Sequence, residues 1–443
     1  MFIYIDGFTI FVCINDFLAR GIKMNLSINE ISSIIGFILQ VLLWIVFIYY
    51  FIVSAFGWLK RGEVPATEFP VKNRFAILIA AHNEERVIAS AVRSLNDIDY
   101  PKDMYDIYVI ADNCDDKTAE IAREVGAQVY ERVDSVKKGK GYSLEWMFNN
   151  LLAMEVEYDA VCILDADNLV SKNFFLEMNK RLCQGHKVIQ GYLDSKNPED
   201  SWISANYSIA YWISNRLFQL PRYYLGLNCA LGGTGFVMRM DVLKEIGWGA
   251  ICLTEDLEFS LKLIQKNMKV AWSHEAVVYD EKPLRLVQSC RQRKRWMQGH
   301  CDCASRYLKA LLIKGIKERD MVAIDASLYL IQPFVIVIST VNAFVRGIIG
   351  LCCLDIATFS GKDVLLFLVL VLVVTYVNIL FVAVEGKFSP KVGVYSLLLP
   401  IYSLTWVPII IAGFINRRKK EWAHTEHTRN LEINDMHGLE KAG

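Results

Sequence analysis

Three short clusters in this 443-residue sequence hold side chains whose types and spacing suit chemistry. Asp165-Ala166-Asp167 sets two carboxylates two residues apart, directly after an apolar run. In extended backbone alternate side chains share a face, so both acids would point the same way. Adjacent carboxylates repel, and Mg²⁺ or Mn²⁺, which take oxygen ligands and bridge to substrate phosphates, would offset that repulsion. The same pair also suits a plain polar turn. Thr254-Glu255-Asp256 precedes Leu257, Leu261 and Ile264 at helical spacing. Thr can cap a helix there and acids suit its first turn, while a carboxylate so placed also suits a general base toward an attacking hydroxyl. Gln292-Arg293-Lys294-Arg295-Trp296 joins planar donors fit for phosphate to an indole face on which a sugar ring can stack; it reads equally as a membrane-surface charge patch.

Two further segments are weaker signals. Lys138-Gly139-Lys140-Gly141 is either a phosphate contact or a turn. Gly232-Gly233-Thr234-Gly235 resembles a phosphate cradle, but no Gly-Lys-Ser/Thr follows, which excludes a P-loop.

The elements that would position these groups can be read from periodicity. Residues 75–81 (FAILIAA) read as a buried strand, 84–95 as a helix, 106–111 as a strand and 117–125 as a helix. Residues 127–130 form a short strand, 141–154 a helix and 160–164 a fourth strand. Continuous apolar strands alternating with helices imply a Rossmann-like, mostly parallel α/β sheet covered on both faces. Ligands of such sheets bind at the carboxyl ends of the strands. The polar groups cluster there: His82-Asn83-Glu84, Asp112-Asn113 and Asp165-Ala166-Asp167.

The chain is 53% hydrophobic, and its 48 basic residues balance 48 acidic ones. A neutral chain without a basic arm has no general electrostatic pull toward nucleic acid. Four stretches, 31–59, 326–345, 364–384 and 392–416, carry no charge and are long enough to span a bilayer as helices. Residues 1–20 lack the basic start and small-residue cleavage site of a signal peptide. The eleven cysteines are scattered, and His300-Cys301-Asp302-Cys303 lacks the second half of a metal site, so reduced thiols are expected. Residues 304–320 alternate apolar and basic positions as an amphipathic helix at a membrane surface would.

In their order, Asp112, then D-x-D, then T-E-D, then Q-x-x-R-W ahead of apolar stretches, these signals resemble the processive family 2 glycosyltransferases. That family includes cellulose, hyaluronan and poly-N-acetylglucosamine synthases. The resemblance covers about residues 70–300 and implies a GT-A catalytic domain on the cytosolic side of the cell membrane, fused to an α-helical transmembrane region. It implies inverting hexosyl transfer from a UDP-sugar to a growing polysaccharide. On the matched motifs, Asn83, Glu84 and Asp112 would hold the nucleoside, with Lys140 beside it. Asp165 and Asp167 would hold diphosphate and Mg²⁺ or Mn²⁺, Asp256 would be the base, and Gln292 and Arg295 would steady the diphosphate. Glu255 and Trp296 would face the acceptor. UDP-glucose and a β-glucan are the first expectation; loading of a lipid phosphate carrier and an N-acetylglucosamine or hyaluronan-type product are the alternatives.

The F-x-V-T-x-K gating loop of that family is not found after the catalytic domain. The expected organisation is a membrane region 1–60, a catalytic domain 61–303, an interfacial helix 304–320, a transmembrane region 321–416 and a basic cytosolic tail 417–443. Three spans after a cytosolic domain would leave Arg417-Arg418-Lys419-Lys420 outside, against the positive-inside rule. Either one apolar stretch is therefore interfacial or re-entrant, or the region 321–354, with Pro333 and Arg346, does not cross once.

Overall fold

The computed structural model describes residues 28–59, 62–249, 252–353, 380, 384–385, 387–418, 429 and 431–433. The expectations for 1–20 and for most of 364–384 lie outside them. The chain divides into two compact units, Met1–Phe51 with Ile338–Val377, and Ile52–Val337 with Asn378–Gly443. In the first, the Ile28–Ala55 helix turns Trp44, Ile45, Phe47 and Ile48 outward, an apolar surface suited to lipid.

The second unit is built on an eight-stranded sheet of order β3-β2-β1-β4-β7-β6-β8-β5. β1 (Phe75–Ala81), β2 (Tyr105–Asp112), β3 (Gln128–Arg132) and β4 (Ala160–Asp165) are parallel neighbours, with the expected helices between them at Ile88–Asn96, Thr118–Glu124 and Lys140–Ala153. Alternation within β1 explains its unbroken apolar run. Ala76 and Leu78 pack with Leu144, Phe148 and Trp212 on one face, while Phe75, Ile77 and Ile79 pack with Ile88, Val92 and Phe175 on the other.

Beyond β4 the sheet departs from the mostly parallel expectation and is mixed. β7 (Phe236–Arg239) runs antiparallel to both β4 and β6 (Val188–Ser195), and the short β5 (Leu169–Val170) is antiparallel to β8 (Val270–Asp280). Only β6 and β8 pair in parallel there. After β6 the chain passes through the Trp202–Ser214 helix and a π-helical turn, Asn215–Gln219. It then reverses at the glycines of 232–235, so β7 returns along the edge of β4.

The amphipathic run 304–320 is not an independent helix. It is the second half of one 33-residue helix, Leu286–Glu318, whose Cys303, Ala304 and Leu311 are buried against Leu261, Ile264, Ala323 and Leu330. Its apolar stripe therefore faces protein for part of its length, while Ile313 and Ile316 remain exposed. Among the described residues two helical segments are long and apolar enough to cross a membrane, Val41–Trp58 and Met321–Val341. The stretch 392–416 is broken: Pro390–Ser396 and Leu399–Ile415 meet at 51°. Pro400, lacking an N–H and sitting in the first turn of the second piece, favours the break. That piece lies hard against the long helix, since a Cβ on Gly413 would come within 2.5 Å of Met297 Cβ.

Candidate active site

The expected residues fall into three neighbourhoods around the ends of the strands and a fourth group on the Leu286–Glu318 helix. The first joins the ends of β1 and β2. Asn83 and Asn113 both take left-handed backbone, with φ of 56° and 52°. Asparagine tolerates this because its short amide bonds locally: Asn83 Oδ1 accepts from the Asp115 N–H at 2.8 Å, and Asn113 Oδ1 from the Asp134 N–H at 2.9 Å. Glu84 is buried, and its N–H donates to Thr118 Oγ1 at 2.8 Å. Asp112 is also buried and accepts from Arg132 Nη1 at 2.5 Å. Burial raises the Asp112 carboxyl pKa and Arg132 only partly offsets this. Arg132 is a candidate the motif reading missed; it lies on β3 directly opposite Asp112.

The second neighbourhood gathers charge from distant parts of the chain. Lys140, the first residue of its helix, donates to Asp165 Oδ1 and, at 2.7 Å, to the Gly233 carbonyl. Burial works against the Lys140 ammonium, but Asp165, Glu255 and Asp256 outweigh it and hold its pKa above the usual range. Gly233 has φ +81°, and a Cβ there would sit 3.5 Å from Asp256 Oδ2, so glycine lets this turn pass between Lys140 and Asp256. Glu255 and Asp256 open the Glu255–Gln265 helix. Thr254 gives that helix no side-chain cap. Burial and the neighbouring Glu255 charge push Asp256 up to about 7. Glu255 is raised as well, by burial, against the pull of Lys140 and Arg295.

The third neighbourhood surrounds Asp167, which is 4% exposed. Its Oδ2 accepts from the Glu281 N–H at 2.8 Å and its Oδ1 from Asn168 Nδ2 at 3.2 Å. Asp280, at the end of β8, is pushed up to about 6 by burial, with Lys282 opposing and Asp167 adding to the rise. The Lys282 ammonium stands 3.5 Å from the Tyr211 ring centroid, and Tyr211 stacks on Tyr207 at 5.9 Å. Asp280, Lys282, Tyr207 and Tyr211 were not singled out from sequence. The available signals were Tyr207 and Tyr211 one helical turn apart, and a charged triplet closing a strand.

The Gln292–Trp296 cluster separates by helical face. Gln292 Oε1 accepts from the Tyr207 hydroxyl at 2.5 Å, Trp296 meets the Tyr207 ring edge-on at 5.9 Å, and Arg295 acts on Glu255. Positions i, i+3 and i+4 share a face. Arg293 points elsewhere: fully buried, it donates to Thr405 Oγ1 at 2.9 Å and lies over the rings of Tyr402 and Trp406. Its role is structural.

Among the described residues no three His, Cys, Asp or Glu side chains converge as a metal cage. Asp165 and Asp167 carry the hard oxygens that Mg²⁺ or Mn²⁺ takes, but the chain turns after Asp165, so the two do not share one extended face: Asp165 pairs with Lys140, while Asp167 accepts from the Glu281 N–H and from Asn168. Cys114, Cys162, Cys183, Cys229, Cys252, Cys290, Cys301 and Cys303 are free thiols, with the Cys252 and Cys303 sulfurs 3.6 Å apart.

Residues 72–299 match the family model described as "Glycosyltransferase like family 2". The chain is 29% identical over 237 residues to the beta-monoglucosyldiacylglycerol synthase of Trichormus variabilis, covering 51% of this chain and 48% of that protein. It is 24% identical over 262 residues to a poly-beta-1,6-N-acetyl-D-glucosamine synthase of Staphylococcus epidermidis, covering 58% of this chain and 61% of that one. It thus spans about half to three fifths of the length of these relatives. The mannosyltransferase of Pyrobaculum calidifontis, solved with GDP-Man and Mn²⁺, superposes with TM-score 0.58 at 14% identity. The alignment covers 87% of this chain and 98% of that one, which establishes a shared fold.

Proposed function

Because this chain belongs to the family 2 glycosyltransferases, we propose that it is a membrane-embedded inverting hexosyltransferase that uses a UDP-sugar. The observation that carries this reading is Asp256: a carboxylate with pKa about 7, opening a helix beside Gly233 and the Lys140–Asp165 pair. A base poised near the working pH both ionises and accepts a proton efficiently.

The acceptor hydroxyl gives its proton to an Asp256 oxygen as its own oxygen attacks the anomeric carbon. The bond from that carbon to the β-phosphate oxygen breaks on the opposite face, and UDP leaves. One displacement with one base inverts the anomeric configuration, giving a β-linkage from an α-linked donor. Lys140 and Arg295 lie where cationic donors can offset charge building on the diphosphate. Asp165 and Asp167 are the residues that would hold Mg²⁺ or Mn²⁺, which would neutralise phosphate charge when bound. Asp112, Asn83 and Glu84, fixed by Arg132, Asp115 and Thr118, form the nucleoside end.

On the acceptor side, the half-buried Trp296 and Tyr211 rings, packed against the buried Tyr207, offer aromatic surface suited to a terminal sugar whose place is taken by each newly added unit. This supports processive synthesis of a β-linked polysaccharide, a β-glucan first, extruded across the membrane from a catalytic domain on the cytosolic side. A second reading, single addition to a lipid acceptor, is favoured by the likeness to the glucosyldiacylglycerol synthase. The test incubates purified protein with a panel of UDP-sugars, measures released UDP and sizes the product. A ladder or high polymer supports processivity, one sugar on lipid supports the second reading, and no UDP release from any donor overturns both.

A further inference from the structure

Arg429 and residues 431–433, the last described part of the chain, lie on the catalytic unit beside the D-x-D turn. Ile433 is 2% exposed and packs with Leu169 of β5 and Tyr279 of β8, with Leu431 half-buried at the same place. Glu432 accepts from Arg93 at 3.0 Å and from Ser90 at 3.4 Å, both on the Ile88–Asn96 helix. Arg429 donates its main-chain N–H to Glu281 Oε2 at 3.0 Å, and its guanidinium pairs with Asp200. A few residues therefore tie together the first crossover helix, β5, the end of β8 and the loop after β6.

The route from this tail to the chemistry runs through Glu281. The tail takes its carboxylate, while its own N–H donates to Asp167 Oδ2 at 2.8 Å. Its neighbours Asp280 and Lys282 are the half-buried acid and the buried cation of the third neighbourhood. Buried Lys196 feels both sides: burial lowers its pKa, and Asp167, Glu281, Asp280 and Glu432 pull it back. Ion pairs as exposed as Arg429–Asp200 hold weakly in water. The anchor is the buried Ile433 side chain.

Resting on the proposed function, we infer that Ile433 and Arg429 are positioning residues for the donor site: the docked tail holds Glu281, and Glu281 holds Asp167 in the orientation that receives the diphosphate. Groups that orient a ligand-binding carboxylate change affinity by roughly 10-fold or more when lost.

The experiment uses the full chain. Ile433→Asp puts a charge into the Leu169–Tyr279 socket and releases the tail, whereas Ile433→Val keeps the apolar contact. Truncation after residue 428 removes the tail without burying a charge and covers the case in which Ile433→Asp does not fold. The readouts are the rate of trypsin cleavage at Arg429, UDP affinity by calorimetry with Mg²⁺ present, and the donor and acceptor KM. Expected are faster cleavage in Ile433→Asp, UDP affinity and donor KM worsened roughly 10-fold in both it and the truncation, an unchanged acceptor KM, and wild-type behaviour in Ile433→Val. UDP affinity within twofold of wild type after release or removal of the tail overturns the inference, as does equal cleavage of wild type and Ile433→Asp. Failure of the underlying functional reading shows differently, as wild-type protein that turns over no donor.

Discussion

Replacing Glu255 with Gln tests the Asp256 assignment through its pH dependence. Asp256 is held at about 7, against an ordinary 3.8, by burial and by the Glu255 charge next to it. A base works only when ionised, so activity should rise with pH through about 7 and be lost as pH falls. With that midpoint, roughly a tenth of Asp256 is ionised at pH 6 and nine tenths at pH 8, so kcat/KM should climb about tenfold between them. Glu255→Gln removes the like charge, lowers the Asp256 pKa and moves this limb toward acid. Asp256→Asn should cost about 10²–10⁴-fold in transfer while UDP binding persists. Stability should respond with the opposite sign. The folded carboxyl binds its proton more tightly than the unfolded one, so this group favours folding at low pH and costs stability as pH rises from about 4 to about 7. Asp256→Asn should therefore be more stable than wild type at pH 8, by at most about 4 kcal/mol, and melt higher. The assays are initial UDP release from pH 5.5 to 8.5 and thermal unfolding at pH 5 and 8. A flat profile, or a Glu255→Gln limb in the wild-type place, would refute the reasoning.

Turnover should need Mg²⁺ or Mn²⁺, and Asp167→Asn should lose most of it while staying folded; full activity in excess EDTA would count against the paired-carboxylate assignment. Trp296→Ala should shorten the product severely with UDP affinity within a few-fold of wild type, whereas Trp296→Phe keeps most length; unchanged product from a folded Ala variant would remove the acceptor-stacking role. Gly413→Leu should destabilise by about 1–3 kcal/mol, because a Cβ there meets Met297 at 2.5 Å; an unchanged melting temperature would show that the two helices can separate.

Local pattern was enough for the first half of the sheet. The runs at 75–81, 106–111 and 160–164 became buried parallel strands, because a strand covered on both faces must be apolar throughout. It was also enough for the motif acids, since short polar clusters at strand ends and helix starts stand out against apolar flanks. Asp165, Asp256 and Lys140 do come to one place. Local pattern could not decide strand direction beyond β4, because β7 is four residues long and its orientation follows from how the chain returns around it. Nor could it show that 304–320 continues the helix begun at Leu286, since amphipathic spacing reads the same against lipid and against protein. The sorting of the Q-x-x-R-W cluster, with Arg293 turned into the fold and Arg295 toward Glu255, depends on what each helical face meets. Arg132 and the docked Ile433 carry no spacing signal at all. Their partners lie 20 to more than 260 residues away in sequence, Asp112 for Arg132 and Leu169 for Ile433 among them, and only the closed tertiary structure brings such groups within bonding distance.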